Sequence, residues 1–355
     1  MSLRPCLRPP TSAFLRRITT TAIRSYAVQA PGNPALEVFN RRTKWLQRER
    51  AGSNIELSRR TDYLRDEVAA RMSDRMLDIK RDFNHVLDLG ANSCNIARAL
   101  TQPVPNDDDP AGAPLPPPST RIKHLTCVDD SENMLYRDQD LPFNSQMSIS
   151  RQVLPSLENL PYKPETFDAV LSSLSMHWIN DLPSVLAQIN SILKPDCPFI
   201  ATMFGGDTLF ELRTSLQLAD MERRGGVSPR VSPLADVRDI GGLLQKAGFK
   251  LLTVDMEDIV VGYPDVYTLM TDLQAMGENN AILRSELGPI SRDVLLATDP
   301  IYKALHGVEG EEGIPATFRL IYMIGWKEGQ GQAQPLSRGS AEVDLTDILG
   351  GGKIA

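Results

Sequence analysis

From residue 58 to residue 80 the apolar positions recur at spacings of three and four. They are Tyr63, Leu64, Val68, Met72, Met76 and Ile79, with charges between them. That spacing predicts a helix with one buried face. Near His85 the rhythm changes. Residues 85–90 (HVLDLG) are a short apolar run ending in a carboxylate and a glycine, which reads as a buried strand. Ile96, Ala97, Ala99 and Leu100 then continue as a helix. Further strands are expected at 123–129, 149–153, 166–174, 197–204, 250–262 and 316–326. Helices are expected at 131–136, 181–193, 207–223, 233–247, 264–276 (starting at Pro264) and 291–306. Near-continuous apolar strands separated by helices predict an α/β fold, a doubly wound parallel sheet covered on both faces.

Three stretches depart from the pattern. Residues 37–50 are dense in Arg, Lys and Glu and read as a surface segment or a short helix. Residues 103–119 hold seven prolines and three consecutive aspartates. Proline lacks the amide donor and fixes φ, so an exposed loop insertion is expected there, with no helix or buried strand. From 328 to 355 the chain is rich in Gly, Gln and Ser and is expected to be disordered. The resulting division is an N-terminal helical extension over 31–80 and a main domain over 81–327, with a helical insertion at about 264–315.

Charge adds a further division. The first acidic residue is Glu37, and before it stand Arg4, Arg8, Arg16, Arg17 and Arg24 among many Ser and Thr. An Arg-rich, acid-free, hydroxyl-rich start reads as a mitochondrial transit peptide over 1–30, which places the mature chain in the matrix or at the matrix face of the inner membrane. The whole chain carries a net charge of −7, and loss of that segment would leave it more acidic. A nucleic-acid partner is therefore not expected, since phosphate contacts need clustered Lys and Arg. The four cysteines are scattered without a CxxC pair, which excludes a zinc ribbon or a thioredoxin-type motif. No apolar run reaches the ~18 residues of a membrane span.

Candidate chemistry lies where strands end. The first such end reads Asp88-Leu89-Gly90-Ala91-Asn92-Ser93-Cys94, and the second reads Val128-Asp129-Asp130-Ser131-Glu132-Asn133-Met134. Together they resemble the class I S-adenosylmethionine-dependent methyltransferases, whose first loop usually reads D-x-G-x-G-x-G. The resemblance implies a seven-stranded Rossmann-like sheet and S-adenosylmethionine as cofactor. It implies cofactor contacts from Asp88, Gly90, Asn92, Asp129, Asp130, Met134, Ser156 and Leu157. Asp129 would accept from the ribose hydroxyls, and Ser156 or the Leu157 backbone would meet the adenine. Two family glycines are missing. Asn92 tolerates left-handed backbone, whereas Cys94 brings a Cβ to where the cofactor is usually close.

Longer stretches narrow the resemblance. Residues 63–68 (YLRDEV), 171–183 (LSSLSMHWINDLP), 203–213 (MFGGDTLFELR), 254–257 (VDME) and 322–326 (YMIGW) are similar to the mitochondrial complex I assembly factor 5 family, known as arginine-hydroxylase. That family is related to the malonyl-carrier-protein methyltransferases. The resemblance implies hydroxylation of an arginine on a core complex I subunit early in assembly, with peripheral membrane association compatible. Genuine methyl transfer to a protein or carrier-bound acid stays open, as does a non-catalytic assembly chaperone. His177 is a candidate base or orienting group, or a packed histidine capping its strand. Asp207 and Glu211 share a helical face at i,i+4 and could hold a guanidinium. Alternatively Asp207 caps the helix and Glu211 pairs with a surface Arg. The four histidines form no metal-binding tripeptide, so no metal is assigned.

Overall fold

The computed structural model describes residues 37–104, 114–283, 288–307, 310 and 312–332. The expected transit peptide, the middle of the proline-rich insertion and nearly all of the expected tail lie outside the described residues. The chain enters through three helices, α1 (Arg41–Ser53), α2 (Ile55–Arg60) and α3 (Tyr63–Leu77). Alternation follows: β1 (Phe83–Leu89), α4 (Asn95–Leu100), β2 (Ile122–Asp129), α5 (Glu132–Leu135), α6 (Phe143–Gln146), β3 (Ile149–Val153) and β4 (Ala169–Ser173). Then come α7 (Leu182–Ile192), β5 (Pro198–Phe204), α8 (Phe210–Arg224), α9 (Val237–Lys246), β6 (Phe249–Tyr263), α10 (Val266–Met276), α11 (Arg292–His306) and β7 (Ile314–Lys327).

The seven strands form one sheet in the order β3-β2-β1-β4-β5-β7-β6, which has the strand number the resemblance implied. Its centre is apolar on both faces because helices cover both. β5 shows how one strand serves two cores. Phe199, Ala201 and Met203 pack with Leu186, Ile189, Ile240 and Leu244 of α7 and α9. Ile200 and Phe204 face the other core, with Met72, Leu212, Leu216 and Phe318. Side chains alternate along a strand, so successive residues enter opposite layers. Each fully buried aliphatic side chain contributes about 1.5–3 kcal/mol.

The expectation of a parallel sheet needs one correction. β7 runs antiparallel to both β5 and β6, between which it is inserted. Apolar patterning reports burial, and a strand buried on both faces looks the same in either direction. Boundaries shift for local reasons. α10 begins at Val266 rather than Pro264, because Asp265 caps it by accepting from Thr268 N at 2.7 Å. α8 begins at Phe210, after Leu209 in left-handed backbone at φ 54°. The insertion after α4 is closed by a Val104–Leu115 bridge, and Pro118–Arg121 form a 3-10 turn whose Pro118 and Ser119 are buried. That turn departs from the expected exposed loop.

In this order the sequence reverses between β1 and β4, so the cleft opens outside the carboxyl ends of those strands. Residues 37–50 are more than a surface segment. α1 lies over that cleft, with Lys44 and Arg48 buried. α1 packs closely at Gly52, where an added Cβ would stand 2.6 Å from the Met134 amide.

Candidate functional site

The loop after β1 turns through three left-handed residues, Gly90 (φ 70°), Asn92 (φ 51°) and Cys94 (φ 59°). They occupy the positions where the related loop carries glycines. A left-handed residue with a side chain costs ~1–2 kcal/mol, so the turn is retained at some cost. Asn92 is held on both sides: Nδ2 donates to Gly90 O and Ser173 O, both at 3.1 Å, and Oδ1 accepts from Arg48 at 2.8 Å. Cys94 is fully buried with Sγ 3.9 Å from Leu135 O, so its side chain enters the core. Gly90 itself has no room for a side chain, since a Cβ there would stand 1.8 Å from Ser175 Oγ.

Two carboxylates lie beneath this turn. Asp88 is fully buried, and neither oxygen has a partner among the described residues. Burial, with Cys94 and Asp129 nearby, pushes its pKa well up. Ser93, Ser173 and Ser175 hydroxyls are also buried and unpartnered. Asp129 is equally buried but has three donors. Oδ2 accepts from Arg48 Nη2 at 2.8 Å and from the Asn92 amide at 2.9 Å, and Oδ1 accepts from the Ser131 amide at 2.9 Å. Arg48 Nη1 also donates to Asp130 Oδ1 at 2.7 Å. Burial opposes the Arg48 charge, but the two aspartates outweigh it and hold its pKa above the ordinary range. Burial pushes Asp130 up to about 6 against the pull of Arg48.

A cavity of about 300 Å³ opens beside Arg48 and Asp130, and Asp88, Gly90, Asn92 and Asp129 do not line it. α1 supplies Lys44, Trp45 and Arg48, and the segment after β3 supplies Ser156 and Leu157. Asp130 and Ser175 complete the lower wall. Met134 is fully buried in the core and lines neither this cavity nor its neighbour. A second cavity, about 230 Å³, lies beyond Trp178 and Glu278, which line both.

The partition between the cavities is charged. Glu278 Oε2 accepts from Trp178 Nε1 at 2.7 Å and lies 3.2 Å from His177 Nε2, while Oε1 accepts from Arg65 at 3.1 Å. Burial alone would raise the Glu278 pKa, but His177, Lys44 and Arg65 hold it well below the usual range. Lys44 Nζ sits 3.1 Å from the Trp178 ring centroid and donates to Gly277 O and Asn279 O. Burial lowers its pKa to about 7, with Arg48 and Arg65 adding to the effect against Glu278. Burial also lowers His177, whose Nδ1 has no partner among the described residues. His177 therefore lies in the partition.

Asp207 and Glu211 are not brought together. Asp207 is exposed and pairs with Arg319, while Glu211 is buried and accepts from the Thr317 amide and hydroxyl. The helix begins beyond Asp207, so Asp207 does not cap it, and the partner of Glu211 is a threonine of β7 rather than a surface Arg. Sequence reasoning missed Lys44, Arg48 and Glu278. The only signals were the basic density of 37–50 and the Gly277 that ends α10 in left-handed backbone.

Comparison with known proteins agrees with this architecture. A methyltransferase-domain family model matches residues 111–201. The zebrafish protein named arginine-hydroxylase NDUFAF5, mitochondrial, is 43% identical over 321 residues, covering 90% of this chain and 92% of its own. The human protein of that name is 41% identical, covering 97% and 94%. A malonyl-[acyl-carrier protein] O-methyltransferase of Halorhodospira halophila is 28% identical over 80% of this chain and 88% of its own. With identity at this level sustained across nearly the whole length of both chains, this protein belongs to the arginine-hydroxylase NDUFAF5 family.

Proposed function

We propose that the chain binds S-adenosylmethionine beneath α1 and acts in the mitochondrial matrix during early assembly of respiratory complex I, hydroxylating an arginine of a core subunit. The 43% identity to a relative named as a mitochondrial arginine-hydroxylase supports the activity and the location. Among the described residues no helix is long and apolar enough to cross a membrane, which is compatible with peripheral association at most.

The observation that carries the cofactor reading is Asp88. A buried carboxylate with two unpartnered oxygens under a tight turn fits a ligand that brings its own cation; Asp88 itself lines neither cavity, and Ser175, packed against Gly90, is the cavity wall next to the turn. The α-ammonium and sulfonium of S-adenosylmethionine supply such charge. Gly90 and Asn92 would shape the backbone around it, Asp130 and Ser156 would border the nucleoside, and Leu157 would pack on the base. Asp129 fits in a restricted way. Its Oδ1 accepts one donor, so one ribose hydroxyl can bind with Arg48 in place, whereas a second needs the Arg48 Nη2 bond on Oδ2 to open.

When bound, S-adenosylmethionine supplies an electrophilic methyl group. The relative named as a malonyl-carrier-protein O-methyltransferase favours a second reading, methyl transfer to a protein or carrier-bound acid. There the chain would act mainly by aligning acceptor and methyl. One pair of measurements tests both. The purified chain is titrated with S-adenosylmethionine, and the arginine peptides of the subunit are weighed from cells with and without the gene. A gain of one oxygen supports hydroxylation, a gain of one methylene unit supports methyl transfer to that subunit, and an unchanged mass rejects modification of its arginines. If Asp129→Ala binds S-adenosylmethionine as the native chain does, the ribose assignment is wrong.

A further inference from the structure

The second cavity has a chemistry of its own. Phe204, Leu212, Leu216, Leu273 and Phe318 give it apolar walls. Its one strongly basic neighbour is already neutralised, because Arg230 donates to both oxygens of buried Asp220 at 2.8 and 3.0 Å. The wall it shares with the first cavity carries Trp178 and Glu278. His177 lines it too. With Nε2–H donated to the Glu278 carboxylate, the His177 lone pair sits on Nδ1, on the side of the ring away from Glu278. That Nδ1 is buried and lacks a donor among the described residues. A buried acceptor without a donor is costly, so the site is completed by a ligand that donates.

We propose that this cavity receives the side chain of the substrate arginine, with His177 Nδ1 accepting a guanidinium N–H and Glu278 orienting the imidazole from behind. The inference rests on the arginine reading above and adds where and how that side chain is held. An arginine combines an aliphatic stem, which suits the apolar walls, with a planar head that only donates. Glu278 Oε2 already accepts from His177 and Trp178, and Oε1 is already paired with Arg65, so His177 Nδ1 is the acceptor in this wall that has no donor. The shared wall then places the guanidinium beside the first cavity, where the reacting group of a cofactor would lie. Glu278 is a positioning residue here, and His177 is the one that touches the substrate.

The test is a titration of the full-length protein with N-acetyl-L-arginine methylamide. The citrulline and lysine analogues serve as controls, and S-adenosylmethionine is titrated on the same samples. The expected result is saturable binding of the arginine analogue, with both controls weaker by about tenfold. His177→Phe keeps the ring volume without an acceptor and weakens the arginine analogue by about tenfold or more. His177→Asn places an amide oxygen near the Nδ1 position and restores most of the affinity. Met270→Trp, which fills the cavity from its partly buried rim and leaves His177 and Glu278 intact, also removes binding. This variant keeps the question open to refutation should His177→Phe misfold. The proposal is overturned if the native chain shows no saturable binding, if the controls bind as well as the arginine analogue, or if folded His177→Phe or Met270→Trp binds like the native chain. Failure of the cofactor reading is separate, since it appears as a native chain that does not bind S-adenosylmethionine.

Discussion

Asp88 and Asp129 end neighbouring parallel strands, and both are 0% exposed. Their surroundings are opposite. Asp129 accepts from Arg48, Asn92 and Ser131, and is part of what holds α1 on the sheet. Asp88 has no donor among the described residues, and burial pushes its pKa well up. Two identical side chains near the carboxyl ends of neighbouring strands thus do different work. One is a structural anchor whose charge is matched within the chain, and the other is a buried polar group with no match among the described residues. Burial alone does not distinguish them; the donor count does.

The largest test of this contrast is Arg48→Ala. It strands the buried Asp129 charge and should cost about 3–5 kcal/mol, read by urea denaturation. A small effect would mean that α1 is not anchored through Asp129. Next, Gly90→Ala drives a methyl group into Ser175 Oγ in left-handed backbone. It should cost roughly 2–4 kcal/mol, and the double variant with Ser175→Ala should recover part of it.

Asp88→Asn probes the other side of the contrast and has the opposite sign. A carboxyl whose folded pKa is raised contributes stability below its ordinary value, ~3.9, and loses it as pH climbs through the raised value. The native chain should therefore fall behind Asp88→Asn as pH rises, with the variant ahead by about 1–3 kcal/mol at neutral pH in melts without ligand. Equal stability across the range would show that Asp88 has a partner after all. The smallest expected effect is at Cys94→Gly. Relief of left-handed strain offsets the lost packing of a buried thiol, leaving a net change within about 1 kcal/mol by thermal denaturation. A large loss would make the Cys94 side chain, rather than its backbone, the essential feature of the loop.

Much of the fold was legible from residue order. Every expected strand has a counterpart within a few residues, and for the central strands β4 and β5 the reason is that burial on both faces needs a continuous apolar run. The antiparallel direction of β7 was not legible, since its apolar residues read identically either way. The two acids at the strand ends were visible because each closes an apolar run ahead of a turn. Arg48 was not, because its partners lie 44 to 82 residues away and nothing in 37–50 specifies which of its many basic residues turns inward. Glu278 escaped for the same reason. It meets Arg65 across 213 positions and Trp178 across 100. Asp207 and Glu211 mark the converse limit: i,i+4 spacing implies a shared face only once the helix has started, and Leu209 delays that start past Asp207.

Residue order carries the succession of strands and helices, the family, and the acids near the ends of β1 and β2. These are written in local patterns of apolar spacing and in short contiguous motifs. Packing settles which acid is satisfied, that α1 roofs the cleft, and that Trp178 and Glu278, backed by His177, separate two cavities. Charge pairing in a low-dielectric interior depends on which distant side chains converge, and that convergence is a property of the packed sheet and its helices.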